Sequence, residues 1–150
     1  MHHGSFTLHI FLGLPGRLTY VFAHSALRDG YIRVSQGFVC VYDITSRASF
    51  EEVAVFYDQI RRAKDDDHPA MVVVGNKCDL ESRRQVAVAE GAALAQSLGG
   101  GCVFLETSAK EFMNVQECFF AAVREVRRLN NDSISSTKKN SGNLQRCSLS

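Results

Sequence analysis

Side chains able to read one edge of a nucleobase follow two apolar runs of this 150-residue chain. Asn76, Lys77 and Asp79 come directly after the run Met71–Val74, and the stretch Glu106–Lys110 comes after a second run. A carboxylate accepts two N–H groups at once, and guanine offers such a pair in N1–H and its exocyclic amine, whereas adenine does not. We therefore predict a guanine-reading site in which Asp79 makes the discriminating contact.

The other polar groups of the two stretches suit the remaining edges and faces of a base. Asn76 either donates to N7 or braces the neighbouring loop, and its residue type permits both roles. Lys77 and Lys110 have apolar stems long enough to lie along the two faces of the ring. This interpretation places backbone N–H groups around Ser108 and Ala109 against the O6 atom of guanine.

Apolar runs alternate with helical patterns along the chain from residue 37 onward. The predicted order is a strand at Phe38–Tyr42, a helix at 49–64, a strand at Met71–Val74, a helix at Val86–Leu98, a strand at Cys102–Leu105 and a helix from Val115 to Asn130. Ser49 and Glu52 form a predicted capping box at the first of these helices. This order predicts an α/β fold with a mainly parallel sheet and helices on both faces, in which ligands bind at the carboxyl ends of the strands.

Composition excludes several other classes of protein. The length suits one domain, and a net charge of +1 gives no reason to expect a nucleic-acid partner. The five cysteines are odd in number and widely spaced, which argues against a disulfide framework or a structural zinc site and favours a reducing compartment.

The two polar stretches also carry a family resemblance. Asn-Lys-Cys-Asp-Leu at 76–80 and Glu-Thr-Ser-Ala-Lys at 106–110 resemble the base-recognition motifs of Ras-type small GTPases. Ser25–Asp29 with Tyr31 is similar to the latter part of the family's second switch, and residues 37–52 are similar to the strand and helix that follow it. The resemblance covers residues 25–130 as a partial GTPase domain, and it implies a partial P-loop NTPase-like three-layer sandwich.

The resemblance implies an activity, cofactors and partners as well. Ras-type proteins are molecular switches in signal transduction that bind GTP or GDP with Mg²⁺, hydrolyse GTP, and interact with exchange factors, GTPase activators and effectors. The family's phosphate loop has the form G-x-x-x-x-G-K-[ST]. The nearest stretch here, 13–19, has its glycines too close together and carries Arg17 in place of the lysine. Neither the first switch nor the Asp-Thr-Ala-Gly-Gln segment is matched, so no catalytic residue and no metal ligand are assigned, and residues 1–24 are treated as an unrelated segment.

The C-terminal residues match a lipidation signal. Residues 131–150 are expected to form a disordered tail, because Ser133–Arg146 has almost no large apolar side chains. Cys147-Ser-Leu-Ser fits the C-a-a-X pattern, in which a terminal Ser favours farnesylation of the cysteine. We therefore expect attachment through Cys147 to the cytoplasmic face of the plasma membrane, and a cytoplasmic protein without it.

Three functional hypotheses remain open from the sequence. The first is a membrane-anchored GTPase switch, the second is a prenylated binding module without catalysis, and the third is a truncated product that does not fold stably. The third hypothesis arises because the strand Phe38–Tyr42 lies beside the family's first strand, which this chain lacks, so that an apolar edge is left open. Phe6–Leu12 is a candidate substitute for the missing strand.

Overall fold

The computed structural model describes the backbone of residues 8–12 and 25–141, and the side chains of residues 29–135. The described elements, in chain order, are β1 (Leu8–Leu12), α1 (Ser25–Val34), β2 (Gly37–Asp43), α2 (Arg47–Lys64), β3 (Met71–Asn76), α3 (Val88–Leu98), β4 (Val103–Thr107) and α4 (Val115–Ser141). A short 3₁₀ turn at Glu81–Arg83 lies between β3 and α3.

The four strands form one parallel sheet in the order β1-β2-β3-β4. Each strand therefore pairs with the next one in the chain, and all their carboxyl ends lie along the same edge of the sheet. The predicted α/β class with a parallel sheet is confirmed. It follows that the polar stretches after β3 and β4 are neighbours in space.

The first strand occupies the edge that the sequence left open. Leu8–Leu12 runs parallel to β2, with Leu8 opposite Gly37 and Leu12 opposite Val41. The proposed substitute pairing is confirmed, and β2 is consequently an interior strand. The pairing satisfies backbone groups that an open edge would expose.

Helices cover both faces of the sheet and enclose two apolar cores. On one face α2 packs against β2, α3 packs against β3 and β4, and α1 packs against α2. Ile32, Phe38, Ile60 and Met71 are almost wholly buried in this core. On the other face α4 packs across β2, β3 and β4. The three layers explain why the middle strands are apolar on both sides, as strands of a covered parallel sheet must be.

The start of α2 differs from the predicted capping box. The helix begins at Arg47, and its N-cap is Ser46, whose side chain accepts a hydrogen bond from the N–H of Ser49 at 3.3 Å. Ser49 lies inside the first turn, fully buried, and its hydroxyl donates to the carbonyl of Ser46 at 2.8 Å. The predicted box was wrong because a serine three residues earlier takes the capping role.

The last helix continues beyond its predicted end. It was expected to stop at Asn130, but α4 runs to Ser141, so 131–141 is helical where a disordered tail was predicted. Ser133 and Ser135 donate to the carbonyls of Leu129 and Asn131 at 2.9 Å each, instead of competing with the helix. Residues 115–141 contain no Gly or Pro, and the first such residue after the helix is Gly142.

Candidate functional site

The two predicted motifs meet where β3 and β4 end. Asn76 is the last residue of β3, and it lies opposite Thr107, the last residue of β4. The N–H of Cys78 donates to the carbonyl of Thr107 at 3.0 Å, which continues the pairing one step past the strands. The parallel register therefore brings the loop 77–80 beside the loop 108–110.

The amide of Asn76 holds the second loop in place. Its Oδ1 accepts from the Thr107 hydroxyl at 3.1 Å and from the N–H of Ala109 at 3.2 Å. Of the two roles that the sequence left open, bracing is the one these contacts support. The same contacts fix the direction in which the chain leaves β4.

The carboxylate of Asp79 is oriented by a buried hydroxyl. Ser108 is fully buried and donates to Asp79 Oδ1 at 2.6 Å, while its own oxygen accepts from the N–H of Glu111 at 3.1 Å. A short hydrogen bond to an ionised group is among the stronger polar contacts in proteins. The acceptor that would read guanine is thus pre-oriented by the other motif.

Lys77 is held by a carboxylate that the sequence analysis did not single out. Its backbone is left-handed, with φ of 67°, and its Nζ lies 2.5 Å from Oδ2 of Asp43 at the end of β2. Asp43 also accepts from the N–H and hydroxyl of Thr45 at 2.8 and 2.6 Å. Burial opposes ionisation of Asp43, but the hydrogen bonds from Lys77 and Thr45 outweigh it and lower the pKa of this carboxyl.

This ion pair makes stability depend on pH. Since the pKa of Asp43 is lower in the folded chain than its ordinary value near 3.8, its contribution is complete above that value and is lost as pH falls through the folded value. We expect Asp43→Asn to lower the unfolding free energy by about 1–2 kcal/mol at pH 6 and by less at pH 3. Urea unfolding of both chains between pH 6 and pH 2.5 measures this, and a cost that is equal at all pH values would contradict it.

The predicted donors to O6 are engaged within the protein. The N–H of Ser108 donates to the carbonyl of Met113 at 3.1 Å, and that of Ala109 donates to Asn76. Ser108 thus forms an isolated antiparallel bridge with Met113, and the placement of N–H groups around Ser108 and Ala109 against O6 stays a prediction. A base that uses the Ala109 N–H must replace the oxygen of Asn76 as its acceptor.

A pocket of about 390 Å³ opens between the two loops. It is lined by Asn76, Lys77, Asp79, Leu80, Ala109 and Lys110. Five of the six residues predicted from sequence line it, and the sixth, Ser108, stands behind Asp79. Leu80 was not assigned a role, although it is the last residue of the motif at 76–80 and directly follows Asp79. The volume lies within the range of small-molecule sites in proteins.

An ion pair connects the segment that follows the first loop to strand β4. Arg84 Nη1 and Nη2 lie 2.6 and 2.9 Å from the two carboxylate oxygens of Glu106, and both side chains are largely buried. Arg84 follows the first loop, and Glu106 precedes Thr107 on β4. Glu106 belongs to the motif at 106–110. Its partner Arg84 lies 22 residues earlier, and nothing in the sequence predicts that the two pair.

Within 8–12 and 25–141, no group of three or more His, Cys, Asp or Glu side chains is placed to hold a metal ion. None of the helices in these ranges is both long and apolar enough to span a bilayer. Cys147 and the stretch 13–19 lie outside the described residues. The segment matched to the second switch forms α1, where Tyr31 is 54% exposed.

Comparison with known proteins assigns this arrangement to one family. A family model described as the Ras family matches residues 23–128. "Ras-like protein rasB" of Dictyostelium discoideum is 56% identical over 105 residues, which is 70% of this chain and 52% of that protein. "Ras-like protein" of Laccaria bicolor is 50% identical over 109 residues, covering 73% of this chain and 51% of that protein. The chain thus spans about half the length of the curated relatives it matches.

Proposed function

The chain belongs to the Ras family of small GTPases, and from that premise we propose that it recognises guanine nucleotides through their base and does not hydrolyse GTP. The observation that carries the proposal is the hydrogen bond of 2.6 Å from the buried Ser108 hydroxyl to Asp79. It joins the two motifs and presents one carboxylate to the pocket. The reading residues are Asn76, Lys77, Asp79, Ala109 and Lys110, with Ser108 as the orienting group.

Magnitudes support base recognition without tight binding. Base contacts of this type contribute about 1–3 kcal/mol of discrimination each. Association costs about 4–15 kcal/mol in lost translational and rotational freedom. Family members offset that cost largely through phosphate contacts. With no phosphate loop in the sequence, we propose millimolar affinity, which corresponds to about −4 kcal/mol.

The absence of hydrolysis follows from the same reasoning. Phosphoryl transfer is catalysed mainly by positioning and by electrostatic stabilisation, for which the family uses a phosphate loop, Mg²⁺ and a water-orienting glutamine. In this sequence the stretch 13–19 departs from the phosphate-loop pattern, and the Asp-Thr-Ala-Gly-Gln segment is not matched. No catalytic step through Mg²⁺ is therefore proposed, and exchange factors, GTPase activators and effectors are proposed as partners only of family members that carry these segments.

A titration with fluorescent GDP tests this proposal, with Asp79→Ala as its control. We expect half-saturation in the millimolar range, no gain on adding Mg²⁺, and release of phosphate from GTP at the uncatalysed rate. Saturable micromolar binding that requires Mg²⁺ and is lost in Asp79→Ala would contradict the proposal and restore the GTPase hypothesis.

We further propose that Cys147 carries a prenyl group that attaches the chain to the cytoplasmic face of the plasma membrane. A single prenyl chain gives only reversible attachment, and Lys138, Lys139 and Arg146 supply a modest basic supplement. A chain that is not prenylated would be cytoplasmic.

Substitution of the tail cysteine tests the attachment. We expect Cys147→Ser to move the protein from the membrane fraction to the supernatant after cell fractionation, because the acceptor sulfur for the lipid is lost. Cys78→Ser is the matched control and should leave the distribution unchanged. Membrane attachment that survives Cys147→Ser would contradict prenylation.

A further inference from the structure

Met113 lies in a tight turn between β4 and α4. It contacts both loops that border the pocket, 77–80 and 108–110, which we call the base loops. Its N–H donates to the carbonyl of Ser108 at 2.9 Å, and its carbonyl accepts from the N–H of Ser108 at 3.1 Å. Phe112 and Asn114 on either side have left-handed backbones, with φ of 54° and 56°. Such a conformation is uncommon for a bulky residue and costs of order 1 kcal/mol, so the surrounding contacts must hold the turn in this shape.

One of those contacts is made by Asn114. Its side-chain amide donates to the carbonyl of Glu106 at 2.9 Å, so the turn is fastened to β4 on the far side of Ser108 as well. Asn tolerates the left-handed region better than most residues do. The position of Met113 is therefore set from both ends of the turn.

The side chain of Met113 reaches the opposite loop. The thiol of Cys78 lies with its Sγ 3.7 Å from the Sδ of Met113 and donates to it. Burial, followed by the negative charges of Glu106 and Asp79, raises the pKa of this thiol, so it keeps the proton it donates at neutral pH. Cys78 stands between Lys77 and Asp79, which both line the pocket.

We propose that Met113 is a positioning residue that couples the two base loops. Its backbone is paired with Ser108 in one loop and its thioether contacts the Cys78 thiol in the other, so it bridges the same two loops that the Ser108–Asp79 hydrogen bond joins. The coupling is a property of the chain without ligand. Its consequence for affinity rests on the proposed guanine recognition: loss of the coupling leaves the carboxylate less pre-organised and weakens binding.

The coupling is tested without nucleotide by the alkylation of Cys78. The full chain is treated with iodoacetamide, and the modification of each cysteine is followed by mass spectrometry, with buried Cys40 as the internal reference. We expect Met113→Ala to increase the rate at Cys78 at least about fivefold, because the thiol loses the side chain that contacts it. Met113→Leu, which keeps the apolar bulk, should remain close to the wild-type rate.

A neighbouring variant separates coupling from general loosening of the turn. Phe112 lies in the same turn and is 85% exposed, so Phe112→Ala should leave the alkylation rate of Cys78 unchanged. An unchanged rate in Met113→Ala would overturn the proposal. An equal increase in Phe112→Ala, or a Met113→Leu variant as fast as Met113→Ala, would overturn it as well.

The affinity for GMP provides the second measurement. We expect Met113→Ala to weaken GMP binding about three- to tenfold at unchanged affinity for AMP, with Met113→Leu restoring it. If the wild-type chain does not bind GMP, the proposed function fails while the alkylation rates still decide the coupling. If GMP binds and the alkylation rates do not respond to Met113→Ala, the coupling alone fails.

Discussion

Asp79→Asn should change the base preference of this chain from guanine to xanthine. In the proposed site the carboxylate of Asp79 accepts N1–H and the exocyclic amine of guanine, whereas the amide of Asn would turn an N–H toward that amine. Xanthine carries a carbonyl oxygen at that position and accepts the new N–H. We expect GMP to bind about 10- to 100-fold more weakly and XMP to gain by a similar factor, the range of one good bidentate contact.

The site should survive this substitution. Ser108 donates to Oδ1 of Asp79, and an amide oxygen accepts the same bond, so the side chain keeps its orientation. Asp58→Asn is the matched control, because Asp58 lies on α2, away from the pocket-lining residues. Competition by GMP and XMP in all three chains measures the preference. An Asp79→Asn chain that still prefers GMP would remove Asp79 from the reading role.

Among the substitutions proposed for this chain, Arg84→Ala should lower the free energy of unfolding most. Arg84 and Glu106 are 14% and 17% exposed, and removal of the guanidinium leaves a largely buried carboxylate without its partner. Arg84 also donates to the carbonyl of Val86 at 2.9 Å. Breaking a buried pair costs about 3–5 kcal/mol, and we expect roughly 3 kcal/mol here because a little solvent reaches both groups.

An exposed pair on α4 is the control for Arg84. Arg124 lies 2.8 Å from Glu117, and both side chains are well exposed, so Arg124→Ala should cost no more than about 0.5 kcal/mol. Urea unfolding followed by circular dichroism measures all three chains. Equal losses in the two variants would contradict the assigned role of Arg84. A wild-type chain without a cooperative transition would instead favour the hypothesis of an unstable product.

Much of the fold and site was predictable because strands and motifs are local patterns. The runs at Phe38–Tyr42 and Met71–Val74 identify strands covered on both faces, and the polar residues after β3 and β4 must meet because parallel strands end on one edge. Five of the six predicted site residues line the pocket for this reason. The pairing of Leu8–Leu12 with β2 was a hypothesis that the register confirms.

The remaining features depend on contacts between residues distant in sequence. Asp43 pairs with Lys77 across the ends of β2 and β3. The spacing of the two residues in the sequence does not predict this ion pair. The engagement of the Ser108 N–H by Met113 likewise requires the turn at 109–114, whose left-handed residues are not glycines. The end of α4 was misplaced because polar composition was taken as disorder, although Arg128 bonds to Asp132 one turn on and supports the helix there.

The most direct test of base recognition compares GMP, IMP and AMP by amide chemical-shift titration. The three share one phosphate and differ only in the base, and IMP keeps N1–H but lacks the exocyclic amine. We predict that GMP binds most tightly, IMP about tenfold more weakly and AMP more weakly still, with shifts concentrated at 76–80 and 107–110. Equal affinities for GMP and AMP, or shifts outside these two loops, would contradict the account.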